Sequence, residues 1–208
     1  NTWRRNLDHL KVWSEILNDY DENDAWSLRN HFVEPMVHFC MHQPSSTRDR
    51  LGQVATNGVH QSNLSTEVGY KDALDQDRLT PGQFLGRKKT EKQLERLAKQ
   101  WTGADRLLSA LQRLDSESHR QQTFDYRNQS SHFIAPRLEV GEVRFVTRSI
   151  EPATHMVQQP DESYRLEEIE GKKSVAYGFG GIRPLTLNEI IETNSREYHF
   201  AIEVLDAY

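Results

Sequence analysis

The chain has one cysteine, Cys40, among 208 residues. A disulfide framework and a multi-cysteine zinc site are both excluded. Long hydrophobic runs are missing as well, and mean hydropathy is −0.80. No apolar stretch approaches the roughly 18 residues that a spanning helix needs, so membrane is not an expected partner. Apolar residues are scarce, 36% of the chain, against roughly 45–50% in ordinary domains when glycine is counted. The core is therefore lean, and part of the chain is expected to be polar connection or a surface that awaits a partner. A surplus of positive charge is also absent. The net charge of −5 excludes a generic basic nucleic-acid coat protein but leaves room for a local basic site. The N-terminus is polar and charged, with no secretory signal, and the expected compartment is the cytoplasm.

What is present is mostly helical periodicity. Trp3, Leu7, Leu10, Trp13, Ile16, Leu17 and Tyr20 predict an amphipathic helix over 2–20. A second helix is expected over 25–42, with Pro35 either starting it anew or kinking it. Pro44 and the serines that follow it read as a stop. Residues 44–87 are expected to form a polar, irregular insertion, with a weak helix around Leu51–Val59, a short one at 65–75 and a loop at 79–87. The stripe from Leu94 to Leu114 predicts one helix over 88–115, in which Gly103 costs about 1 kcal/mol against alanine. Asp115–Ser118 reads as a break, and a further helix is expected over 119–134, ended by Pro136.

After that the pattern changes. Val143, Phe145 and Thr147 alternate as in a strand. Segments 164–169 and 174–179 flank Glu170 and Gly171, which suggests a hairpin turn there. Gly178-Phe-Gly-Gly181 lacks dinucleotide-loop spacing and reads as a turn. Thr186 and Glu189 have capping-box spacing and should open a last helix. The expected architecture is mainly α: one antiparallel helical bundle over 1–208, with a small β element at about 140–182 before the last helix.

The segment most informative about function is Tyr126-Arg127-Asn128-Gln129-Ser130-Ser131-His132. On a helix, Arg127, Asn128, Ser131 and His132 fall within an arc of about 140°. Tyr126 and Phe133 point the other way, toward the core. Histidine can exchange a proton near neutral pH. Arginine presents a planar, permanently charged fork to phosphate. Asparagine can orient the imidazole or a ribose hydroxyl. These types suit RNA cleavage without metal, with no cofactor. Arg, then four to six residues, then His also occurs at Arg4–His9, Arg113–His119 and Arg148–His155. Only Arg127 is followed directly by Asn in a late helix.

That Arg127-Asn-x-x-x-His132 pattern resembles the signature of the HEPN superfamily. The resemblance implies a helical bundle that forms a homodimer, with two motifs in one cleft. It also implies a metal-independent endoribonuclease of toxin or antiviral-defence type, in which Arg127 and His132 are catalytic and Asn128 assists. RNA is the implied substrate, and an antitoxin or regulatory protein a further partner. A non-catalytic nucleotide- or RNA-binding module, or a dimerising sensor, is the alternative on the same fold. Some HEPN toxins carry a modifiable tyrosine two residues after the histidine. Ile134 occupies that position here, which argues against that control.

Lys92, Lys99, Arg106, Arg113, Arg120 and Arg127 recur every seven residues. On a continuous helix they would form one slowly turning basic line, drifting about 20° per step. Such a line would attract an RNA backbone. Arg113 and Arg120, with Arg137 and Arg144 beyond the motif, are the expected RNA-binding residues. His31, Glu34, His38, Cys40 and His42 also cluster in sequence. With Pro35 among them and no HExxH, locally bonded polar residues are the better reading, and Cys40 is expected to be an inert core thiol.

Overall fold

The computed structural model describes residues 2–208. The fold is mainly helical, with one two-stranded antiparallel sheet. Helix α1 (Thr2–Ile16) buries Trp3, Leu7 and Leu10, the expected stripe, and ends in a 3-10 turn, Leu17–Asp19. Helix α2 (Glu22–Leu28) is opened by Asp21, whose carboxylate accepts from the Asn23 and Asp24 N–H groups at 3.0 Å. A π turn, Arg29–Val33, then leads into α3 (Glu34–Thr66). Pro35 closely follows that π turn, and Leu28, Arg29, Val33 and Glu34 all keep right-handed helical angles, so the chain stays helical through the junction. No new helix starts at the proline; the irregularity beside it is the π turn at Arg29–Val33.

The expected stop at Pro44 is not one. Helix α3 runs through it for 33 residues, and much of the region expected to be irregular is helix. Proline inside a helix costs about 3 kcal/mol. Tertiary contacts on both sides of Pro44 offset this. Val37, Cys40 and Met41 are buried before it, and Arg48, Gly52 and Ala55 after it. The separate helix expected at 65–75 is absent: α3 ends at Thr66. Residues 67–86 are loop apart from a 3-10 turn, Asp75–Arg78.

The helix expected over 88–115 is two, α4 (Arg87–Ala98) and α5 (Ala104–Arg113). Gly103 lies between them at φ +90°, a backbone that residues with a Cβ rarely adopt. The apolar stripe still reaches the core, because Leu94, Leu107 and Leu111 are buried on both sides of the break. The helix expected over 119–134 is also two, α6 (Glu117–Gln122) and α7 (Tyr126–His132). Phe124 and Asp125 both take φ +50° and separate them. The break expected at Asp115–Ser118 is present: Asp115 has φ +51° and the Ser116 hydroxyl caps α6.

Strands β1 (Val143–Gln158) and β2 (Tyr164–Ile182) form one long ribbon that turns at 159–163. The turn is therefore not at Glu170–Gly171. The register shifts between Pro152, opposite Lys173, and Thr154, opposite Glu168. Residues 169–172 thus face Ala153 alone, and Gly171 at φ +72° supplies the bulge. A local signal for a chain reversal marked an irregularity inside a strand. Gly178–Gly181 likewise lies within β2, not in a turn. Phe145 packs on Gly180, where a Cβ would come within 2.5 Å of the ring.

The ribbon is clamped to the core at its root. Leu138 bridges Leu185, and both are buried. Helix α8 (Leu187–Ala207) opens with the expected capping box: Thr186 Oγ1 accepts from the Glu189 N–H at 3.1 Å, and Glu189 Oε2 from the Thr186 N–H at 2.9 Å. Two apolar clusters form the core. One joins α1, the first half of α3, Tyr126, Leu138 and the first half of α8; the other joins Ala55, Leu94, Leu107, Leu111 and Val204. Among the described residues no helix is long and apolar enough to cross a membrane.

Candidate functional site

Between the two clusters, α3 and α4 meet the α5–α6 junction through charged side chains. The Arg48 guanidinium is buried and holds Glu91 with two bonds, 2.8 and 3.1 Å, while its Nη1 donates to the Leu114 carbonyl at 2.8 Å. Arg87 donates to Asp49 at 2.6 Å, to Asp115 at 2.5 Å and to the Ser45 hydroxyl at 2.6 Å. Arg120 reaches the same Asp115 oxygen at 3.3 Å. Burial pushes the Asp115 carboxyl up, but His119, Arg87 and Arg120 outweigh it and bring it down to about 2. Behind it, the Asp115 N–H donates to Glu197 Oε2 at 2.6 Å. His119 is buried, with Nδ1 3.5 Å from Asp115.

This charged layer forms one wall of an open cavity of about 620 Å³. Arg127 and Asn128 face it from α7, together with Asp125 and, from α4, Lys88. Arg48, Arg87 and Arg120 are each bound to a carboxylate. Among the described residues Arg127 and Lys88 make no ion pair. The positive charge left for an anion in this cavity is theirs, with Asp125 as the opposing carboxylate.

Helix α7 is held by its opposite face. Tyr126 is buried, its hydroxyl pushed up to about 12 by burial and then by the Glu34 charge. Ser130 Oγ lies 2.8 Å from His42 Nε2 on α3 and donates to the Arg127 carbonyl at 3.0 Å. Burial, then the neighbouring His38 and Arg127, hold His42 below the ordinary imidazole value. The His38 and His42 rings are 4.4 Å apart. His42 was expected to bond locally within its own helix. It instead anchors the motif helix from 88 residues away. Cys40 is a buried thiol pushed up to about 12 by burial, in keeping with an inert core role. Among the described residues no three His, Cys, Asp or Glu side chains converge as metal ligands would.

The motif does not converge within one chain. Arg127 and Asn128 face the cavity, but His132 is the exposed last residue of α7 and does not line it. Phe133, expected on the core side, is 73% exposed, because the helix ends and its backbone departs from helical angles (φ −142°, ψ −133°). The basic line is broken at each helix junction. Arg113 binds Glu203 and lies over the Phe200 ring, Arg144 pairs with Glu142 at 3.1 Å, and Arg137 lines a different cavity beside His38. Of the expected RNA-binding residues only Arg120 shares the cavity with Arg127. Arg48, Arg87 and Asp115 belong to the site but were not foreseen. They come from three separate segments and leave no mark in local sequence.

Comparison with models of protein families, with curated proteins and with solved structures gives no match.

Proposed function

We propose that the chain is a metal-independent endoribonuclease of HEPN type, active as a homodimer in a toxin or antiviral-defence role. The observation that carries this reading is the state of Arg127. It faces a cavity beside Asn128, and it is the arginine there whose charge no carboxylate neutralises. A guanidinium so placed can take a phosphate through two parallel N–H bonds. A histidine then removes the proton from a ribose 2′-hydroxyl. The 2′-oxygen attacks the adjacent phosphorus and expels the 5′-oxygen, which takes up a proton, while Arg127 stabilises the charge on the phosphoryl oxygens. The products are a 2′,3′-cyclic phosphate and a 5′-hydroxyl. In this reading His132 is the proton-transfer group and works in a cleft completed by a second chain. The exposed Phe133 and Ile134 beside it suit such a covered surface. An antitoxin or regulatory protein is a further partner.

The position of His132 outside the cavity favours a second reading, in which Arg127 and Asn128 bind an RNA or nucleotide phosphate without cleaving it. One experiment separates the two. Total RNA is incubated with wild type and His132→Ala in EDTA, and the ends are mapped. Cleavage by wild type with cyclic phosphate ends, lost in His132→Ala at unchanged helicity, is expected. Undiminished cleavage by His132→Ala removes that residue from the mechanism. Binding that needs Arg127, without cleavage by wild type, gives the site to the second reading.

A further inference from the structure

A second cavity, of about 580 Å³, lies among α5, α6 and α8 and shares no residue with the cavity of Arg127. Ser109, Ser116, Ser118, His119, Arg196 and Glu197 face it. Asp115 and His119 stand back to back between the two cavities: Asp115 lines the first and His119 the second. The His119 ring is 4% exposed, with Nδ1 turned to Asp115 Oδ1 at 3.5 Å. Its Nε2 edge is therefore turned away from Asp115, toward the second cavity. Among the described residues Nε2 has no hydrogen-bond partner. A buried polar atom is costly to leave unpaired. A water would satisfy that one atom; the groups around it form a set that one water does not use. Arg196 makes no ion pair among the described residues, and its guanidinium donates to the amide oxygen of Gln122. The Ser116 and Ser118 hydroxyls each accept one bond, from the His119 N–H at 3.3 Å and the Gln122 amide at 3.2 Å, which leaves their own protons to donate. Glu197 is the opposing carboxylate, and burial, the largest influence on it, pushes it above the ordinary value, toward its uncharged form.

We propose that this cavity binds a terminal phosphate, carried by a small phosphate monoester or by an RNA end, through His119 Nε2 and Arg196. The donor set selects the class. An imidazolium donates from both nitrogens: Nδ1 to Asp115 and Nε2 to the ligand. Arg196 adds a charge-assisted bond, and the serine hydroxyls add neutral ones. A terminal phosphate has three free oxygens for donors that arrive from both α6 and α8. An internal phosphodiester has two, and the chain on either side of it keeps it from an imidazole that is 4% exposed. A metal ion is disfavoured by the Arg196 charge, and among the described residues no three ligands converge to hold one. The volume falls within the roughly 300–1,000 Å³ of small-ligand sites. Arg113, at the edge of the cavity, is left out of the donor set because Glu203 already binds it. The proposal stands apart from the ribonuclease reading, since neither Arg127 nor His132 lines this cavity.

The test is a titration of the full-length Arg127→Ala chain with inorganic phosphate, read from the histidine ring protons by NMR. The substitution removes the free guanidinium of the other cavity, and His119→Gln identifies the His119 signal. That signal should shift and saturate, with a midpoint at or below about 1 mM phosphate. Arg196→Gln removes one charge-assisted bond, and Ser118→Asp sets a negative charge at the exposed rim. Each should weaken binding about tenfold or more at unchanged helical circular dichroism. A His119 signal that does not move up to about 10 mM phosphate leaves the cavity to water and overturns the proposal. Binding indifferent to both Arg196→Gln and Ser118→Asp overturns it as well. Glycerol 3-phosphate and a short oligoribonucleotide with a 5′-phosphate separate the two sources. A shift from the first alone assigns the site to small monoesters, and a shift from both extends it to RNA ends. The same strand ending in a 5′-hydroxyl should have no effect; an equal effect means that internal phosphates bind, against the proposal. RNA cleavage is not read, so failure of the ribonuclease reading would leave this result standing.

Discussion

Asp115 is the side chain on which the cavity wall depends, and its replacement by asparagine gives a stability effect that can be worked through. The carboxyl is 7% exposed as a side chain, lies 3.5 Å from His119 Nδ1 and accepts from Arg87 and Arg120. Those contacts lower it from 3.8 to about 2. A group depressed on folding contributes stability that is present above its unfolded value and is lost as pH falls toward its folded value. The shift corresponds to about 2.4 kcal/mol at pH 7, about 1.3 at pH 3 and about 0.4 at pH 2. Glu197 opposes this, because burial raises it and its protonation as pH falls favours the folded state. That contribution is present in both proteins to first order, so the difference between them isolates Asp115. The assay is urea unfolding of wild type and Asp115→Asn at pH 7 and pH 3. Any packing change from the amide adds a constant at both values. The gap between the two proteins should therefore shrink by about 1 kcal/mol on going from pH 7 to pH 3. A gap that stays constant, or widens, would refute the argument that the contacts with His119, Arg87 and Arg120 hold this carboxylate ionised.

Two further outcomes follow from backbone and burial. Gly103→Ala should lower stability by about 1 kcal/mol, because φ is +90° while nothing lies within 4 Å of the added methyl; thermal unfolding checks it, and a neutral result would mean that the α4–α5 junction can change its angles freely. Cys40 should not react with a thiol reagent at pH 8 in the folded protein and should react stoichiometrically in denaturant, since burial holds the thiol at about 12; prompt labelling without denaturant would show that the α3 core opens locally.

Elements that were legible in the sequence rest on short-range rules. Trp3, Leu7 and Leu10 repeat at helical spacing and are buried on one side of α1. Thr186 and Glu189 are three residues apart and close the capping box on α8. What was misread depends on distant partners or on single backbone angles. Pro44 reads as a terminator until Arg48, one turn later, is seen locked to Glu91 and the Leu114 carbonyl. Phe124 and Asp125 carry no glycine or proline to announce the left-handed turn that divides α6 from α7. The site shows the same division. The 100° rule separates Tyr126 from Arg127, and the structure buries the first while the second is exposed at the cavity. It fails at Phe133, because the helix to which it was applied has already ended.

The basic line shows why a count of charges misleads where a census of partners does not. Arg113 and Arg120 fit the seven-residue spacing as well as Arg127 does. Arg113 is tied to Glu203, and Arg120 to Asp115. Arg48 and Arg87, outside the spacing, are neutralised by Glu91, Asp49 and Asp115. These guanidiniums tie α3 and α4 to the α5–α6 junction, beside the apolar cluster that α3, α4 and α5 share. An arginine already forked to a carboxylate has few donors left for a phosphate, and pulling it away leaves a buried acid unpaired. The net charge of −5 therefore says little about anion binding at this cavity. What matters there is that α7 presents a guanidinium that the fold itself does not use, beside an asparagine, at the mouth of a wall whose other arginines are already bound.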